Sequence, residues 1–144
     1  MKILEKTLAV ALFVGTAASS ATAQTAGDAT KGAEVFKKCT ACHKVGPDAK
    51  NGVGPVQNGI IGRAAGTVEG YSYSKLNKSA GENGLVWDEQ KIFDYLPDPN
   101  AFLKKFLTDA GKADLATGST KMAFKLAKED ERRDVIAYLK TFPK

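Results

Sequence analysis

The chain has 144 residues, with 21 Lys and Arg against 16 Asp and Glu for a net charge of +5. This length suits one domain with a modest core, and so small a basic excess does not argue for nucleic acid. No internal repeat or low-complexity tract interrupts it.

The first element is a leader. Lys2, Glu5 and Lys6 make a charged start, an apolar run follows from Leu8 to Val14, and small residues lead to Ala21-Thr22-Ala23. The run is too short to cross ~30 Å of hydrocarbon, and the A-x-A ending is the form that signal peptidase reads. The expectation is a cleaved signal peptide over residues 1–23 and one domain over 24–144, its net charge lowered from +5 to +4 by the loss of Lys2, Lys6 and Glu5.

Asp28 is a natural N-cap for a first helix whose Gly32, Val35, Phe36 and Cys39 fall at i, i+3, i+4 and i+7. From Val45 to Gly70 the frequent Gly and Pro forbid any long helix or strand, and a loop of about 25 residues is uncommon unless it is functional or wraps something. Asp88 caps a second helix, with Glu89 in its first turn and Ile92, Phe93, Tyr95 and Leu96 facing inward until Pro97 ends it. Asp98-Pro99 reads as N-cap and N1 of a third helix, striped by Phe102, Leu103, Phe106 and Leu107 and stopped before Gly111. After an irregular stretch, residues 129–141 form a last helix with Val135, Ile136, Tyr138 and Leu139 on its buried side. No alternating strand is visible, so the fold class is all-α with an unusual share of loop.

Short helices on long connections offer little apolar surface to offset an ordering cost of roughly 1–2 kcal/mol per residue. A large apolar cofactor would fill the middle. Cys39-Thr40-Ala41-Cys42-His43 is C-x-x-C-H, the pattern of covalent c-type haem attachment. Two thiols one helical turn apart reach the two vinyl groups of a porphyrin edge, and the adjacent histidine swings under the ring. Three other readings compete. A Cys39–Cys42 disulfide would close too small a loop to stabilise much; a thioredoxin-like pair lacks its βαβ context; zinc would need more ligands than two Cys and one His provide.

His43 is the only histidine, and beyond the leader Met122 is the only methionine. Met122 lies in the polar segment Gly118-Ser119-Thr120-Lys121-Met122, where a core methionine would be odd. It is the candidate sixth ligand, with lysine or an open position as the alternatives. A His/Met pair favours electron transfer, because the soft thioether stabilises ferrous iron and a filled coordination shell leaves no place for oxygen or peroxide.

Several residues resemble, in order, the class I c-type cytochromes, the family of mitochondrial cytochrome c and bacterial cytochrome c2: Gly27-Asp28, Gly32, Phe36, the C-x-x-C-H run, Gly54-Pro55, Gly62-Arg63, Gly70-Tyr71-Ser72-Tyr73, Asn77, Trp87, Tyr95, Pro99, Thr120-Lys121-Met122 and Ile136-Ala137-Tyr138-Leu139. The resemblance implies a small cytochrome c fold, four to five short helices and long Gly-rich loops around one covalent haem c. It implies a non-enzymatic carrier in which Gly32 and Phe36 let the first helix cross the last against Tyr138. It also implies that the Pro55 carbonyl orients His43, that Arg63, Tyr73 and Trp87 hold a buried propionate with Tyr71 nearby, and that Asn77, Tyr95 and Thr120 order the surroundings of the Met122 sulfur. Two departures stand out. Gly54-Pro55-Val56-Gln57 puts an amide where the family usually packs a leucine, and the stretch from Asn100 to Ser119 is longer than in the mitochondrial protein, as in the larger bacterial members.

By the same resemblance the protein is a periplasmic monomer that accepts electrons from a cytochrome bc1-type complex and delivers them to a reaction centre, oxidase or reductase, with no small-molecule substrate. A docking face of Lys38, Lys104, Lys105, Lys121, Lys125 and Lys128 is expected around the haem edge, with Glu34 as the only nearby acid.

Overall fold

A computed structural model describes residues 26–144; the leader expected over residues 1–23 lies outside them. Five α-helices make up the regular structure: α1 (Ala29–Phe36), α2 (Lys75–Glu82), α3 (Glu89–Tyr95), α4 (Pro99–Asp109) and α5 (Glu129–Leu139), with one 3-10 turn at Ala113–Leu115. Four begin on a side-chain cap. Asp28 accepts from the N–H groups of Thr30 and Lys31, Ser74 from Asn77, Asp88 from Lys91 and Asp98 from Ala101. The last helix has no such cap, but Glu129, Asp130 and Glu131 in its first turn meet the positive end of its dipole.

Three of the four expected helices begin where Asp28, Asp88 and Asp98 put them, and the last begins at Glu129 as expected. The addition is α2, whose sequence KLNKSAGE carries no apolar stripe and buries only Leu76, Asn77, Ser79 and Ala80. Its one sequence signal is the Ser74 cap. Among the described residues strand structure is limited to an isolated antiparallel bridge between Ala64 and Val86. Around it, Gly62 N–H donates to Trp87 O at 2.7 Å and Trp87 N–H to Arg63 O at 2.9 Å, which fixes Arg63 and Trp87 side by side. The loop from Val45 to Gly70 is shaped by Gly46, Gly59, Gly62, Gly66 and Gly70, all at positive φ.

The most extensive helix contact joins the two ends of the chain, α1 against α5. Gly32 permits it: a Cβ there would lie 2.0 Å from Asp134 O and 2.7 Å from Tyr138 Cβ. Phe36 then meets the Tyr138 ring at 5.5 Å, and Asp28 N–H donates to Asp134 Oδ1 at 2.7 Å. On the other side α3 and α4 share an aromatic cluster in which Trp87 lies 4.9 Å from Tyr95 and 6.0 Å from Phe102. Leu103 and Leu107 of α4 are fully buried. Phe93, expected to face inward, is only half-buried, because α5 lays Arg132 over its ring at 4.1 Å and Arg133 at 5.2 Å. Both arginine Nε atoms are buried without a hydrogen-bond partner, and the aromatic face is what those guanidinium groups meet. No helix among the described residues is long and apolar enough to cross a membrane.

Candidate haem site

A cleft of about 330 Å³ that the protein itself does not fill is lined from α1, α2, α3 and α5 and by residues 120–124. That is within the roughly 300–1,000 Å³ of ligand and cofactor sites. Its walls bring together all twelve residues singled out from the sequence: Cys39, Cys42, His43, Pro55, Arg63, Tyr71, Tyr73, Asn77, Trp87, Tyr95, Thr120 and Met122. Apolar side chains, among them Phe36, Ile60, Ile92, Leu96, Val135 and Leu139, supply most of the rest.

Cys39 and Cys42 stand as half-buried free thiols in the turns that follow α1. Burial pushes the Cys39 thiol up to about 11, against the pull of Lys38 and with a smaller push from Cys42. A raised value is the opposite of the depressed one that a reactive thioredoxin-like thiolate needs. Among the described residues no three His, Cys, Asp or Glu side chains gather as metal ligands.

Directly after Cys42, His43 is held from behind. Its Nδ1 lies 2.7 Å from Pro55 O, which leaves Nε2 without that contact. Burial holds this imidazole below its ordinary range, opposed by the Pro55 carbonyl and reinforced by Arg63, so the neutral form a metal needs prevails. Gly54 is packed on the ring: a Cβ there would lie 2.4 Å from His43 Cε1.

Across the cleft, Tyr95 Oη donates to Met122 Sδ at 3.5 Å. Burial pushes the Tyr95 hydroxyl up to about 12, with Thr120 and Asn77 bonding it and pulling the other way. Ser74 Oγ donates to Asn77 Oδ1 at 2.8 Å and Met122 N–H to Thr120 Oγ1 at 3.3 Å, so α2 and the methionine segment are knit around that hydroxyl. Asn100, at the start of α4, accepts Thr120 N–H at 2.8 Å, and Leu126 N–H donates to Leu96 O at 2.8 Å. Sequence reasoning missed Ser74 and Asn100 in these roles. Ser74 had a capping signal; Asn100 had none, its partner being 20 residues away.

Arg63 donates to Asn58 O at 3.0 Å and Val56 O at 3.2 Å, while Tyr73 Oη accepts from Val68 N–H at 3.4 Å. Burial lowers the Arg63 guanidinium, a desolvation cost that an anion in the cleft would offset, and raises the Tyr73 hydroxyl, which such an anion would raise further. Tyr71 packs edge-on to Tyr73 at 4.7 Å and donates to Val53 O at 2.8 Å, and Lys121 sits over the Tyr71 ring while donating to Ser72 O. An apolar slot with paired thiols on one rim, a neutral imidazole and a thioether on its walls and a cationic group inside fits a haem.

The lysine face is less one-sided than expected. Lys38 pairs with Glu131 at 2.7 Å and Lys128 with the same carboxylate at 3.6 Å, Lys125 with Asp98 at 2.6 Å and Lys105 with Asp109 at 2.7 Å. Glu34, expected as the sole nearby acid, pairs with Lys37 instead. Helix spacing explains the i, i+3 and i, i+4 pairs, and the α1–α5 crossing explains Lys38–Glu131.

Comparison with known proteins agrees with this geometry. The chain matches the Cytochrome c family over residues 29–143. It is 65% identical over 116 residues to cytochrome c2 iso-1 of Rhodospirillum centenum, covering 81% of this chain and 97% of that one. To a cytochrome c2 of Rhodopseudomonas palustris it is 60% identical over 114 residues, covering 79% and 97%. The solved structure of cytochrome c2 from Rhodospirillum centenum superposes with a TM-score of 0.81 at 63% identity, covering 82% of this chain and all of that one. The chain belongs to the cytochrome c family, as a class I c-type cytochrome that carries electrons on one covalently bound haem c and is not an enzyme.

Proposed function

We propose that this chain is a periplasmic one-electron shuttle between membrane redox complexes, and that His43 and Met122 are its axial iron ligands. The supporting observation is that His43 and Met122 line one cleft, each with a polar group behind its donor atom: Pro55 O for His43 Nδ1 and Tyr95 Oη for Met122 Sδ. Bound haem supplies the one-electron Fe2+/Fe3+ couple. Cys39 and Cys42 anchor it through thioether bonds. His43 Nδ1–H donates to Pro55 O, which would turn Nε2 toward the metal and make it a stronger ligand. Met122 favours the ferrous state and raises the potential. Arg63, Tyr73 and Trp87 hold a propionate in the interior, where its charge would otherwise be costly. Asn77, Tyr95 and Thr120 fix the polar side of the methionine pocket. Residues 1–23 direct export and are removed after Ala23, and the lysines around the cleft mouth guide an acidic partner, a bc1-type donor or an oxidase, reductase or reaction-centre acceptor.

The test is Met122→Ala in the haem-loaded protein, followed by redox titration and by exposure of the reduced form to carbon monoxide. A lowered potential and new carbon monoxide binding are expected, because no second methionine replaces the lost sulfur. An unchanged potential overturns the ligation.

A further inference from the structure

Gln57 is the residue in the cleft that the family pattern does not account for. Its backbone N–H donates to Lys44 O at 3.0 Å, which ties it to the residue following His43. Its side-chain Nε2 lies 3.0 Å from Pro55 O and 2.9 Å from His43 Nδ1, and His43 Nδ1 lies 2.7 Å from the same Pro55 O. Two nitrogens and one carbonyl oxygen thus form a nearly equilateral triangle.

The chemistry fixes who donates. With the amide reversed, Gln57 Oε1 would accept from His43 Nδ1–H but stand against Pro55 O, acceptor against acceptor; the orientation in the structure gives Pro55 an N–H instead. On the reading that His43 Nε2 binds iron, Nδ1 carries the ring's proton. Two N–H donors then converge on one oxygen. Its two lone pairs allow this, but each donor withdraws electron density from the acceptor the other uses, and two parallel N–H dipoles repel.

We infer that Gln57 is a positioning residue that weakens the His43 Nδ1–H···Pro55 bond and thereby raises the potential of the iron. A histidine whose Nδ1–H bond is weaker has less imidazolate character. It donates less charge to the metal and stabilises the ferric state less. The amide N–H dipole beside the ring acts in the same direction, since its positive end opposes the extra charge of the oxidised site. Leucine at this position supplies neither effect, so the proximal side of the cleft carries a device specific to chains with an amide here.

The inference rests on His43 ligation, and the experiment separates the two. Haem-loaded wild type, Gln57→Leu and Gln57→Asn are compared by redox titration and by the ¹H resonances of His43 in the diamagnetic ferrous state. Asparagine keeps the amide but is one methylene too short to reach the triangle, so it controls for polarity. Upfield ring-current displacement of the His43 ring protons in the wild type reports axial ligation; its absence overturns the ligation and with it the inference. With ligation present, both variants are expected to move the Nδ1–H resonance downfield, as the remaining bond strengthens, and to lower the potential. An unmoved Nδ1–H in Gln57→Asn overturns the role of Gln57, and so does a potential that falls in Gln57→Leu alone.

Discussion

A methyl group at position 54 would stand 2.4 Å from His43 Cε1 and 2.7 Å from Nδ1, well inside contact distance. Gly54→Ala must therefore push the imidazole away from Pro55 or displace the loop that carries it. We expect a loss of about 1–3 kcal/mol in chemical denaturation, together with a high-spin fraction in the ferric absorption spectrum as the axial bond loosens. At this scale the sequence was readable where the chemistry is local. Cys39, Cys42 and His43 announce themselves by spacing, and Met122 by being the only thioether left. Arg63, Tyr73 and Trp87 carry no such mark, and without the resemblance Trp87 and the tyrosines read simply as core aromatics. The Gln57 triangle could not be foreseen from the residues, because it depends on how the turn after His43 and the loop after Gly54 close on each other.

Helix caps made the elements legible: Asp28, Asp88 and Asp98 each stand one residue before the helix they predict. The second helix, α2, escaped because its buried face is two aliphatic residues and two polar ones, too short a stripe to register as periodic. The α1–α5 crossing tests the logic of close approach. Gly32→Ala would drive a methyl to 2.0 Å from the Asp134 carbonyl, backbone against side chain with no flexible atom to yield. A loss of about 3 kcal/mol is expected, at the upper end of overpacking costs, measured as a lowered denaturation midpoint with the visible spectrum of the folded form retained. The α4 cap offers a pH test. Lys125, and next the Ala101 N–H, hold the Asp98 carboxyl below the usual carboxylate range. A depressed folded-state value means stabilisation that is present above the ordinary Asp range and is lost as pH falls through the folded one. Asp98→Asn keeps an acceptor for the cap but not the charge. The stability gap between wild type and Asp98→Asn should be open at pH 7 and should close in acid; a gap independent of pH would show that the Lys125 pair contributes nothing.

Across the whole molecule, the shortage of apolar surface in the helices was the sequence feature that called for a cofactor, and the cleft they leave is where it belongs. The surface field was harder to read, since lysine counts ignore the acids that folding brings beside them. Glu131 faces both Lys38 and Lys128, and only tertiary packing reveals it. Charge reversal at Lys121 and Lys105 should slow association with an acidic membrane partner in stopped-flow kinetics. Glu131→Gln should speed it by unmasking two cations. Both effects should fade as salt is raised beyond about 0.1 M, where the Debye length is near 10 Å. Rates indifferent to salt and to all three substitutions would point to an apolar contact around Val53 and Phe124, which are exposed at the cleft mouth.

The meeting of α1 with α5 also sets an order of events. Asp28 bonds Asp134 across 106 residues of chain, and Gly32 finds its seat only against the final helix. A chain emerging from its N-terminus therefore holds that interface open until α5 has appeared. Cys39 to His43 follow α1 directly and stay in an unclosed strand for as long. Their thiols, half-buried in the finished protein, are thus within reach of whatever joins them to the porphyrin during the whole of that interval. The contact that seals the fold is thus made between helices at opposite ends of the described residues, with the attachment residues directly beside the first of them.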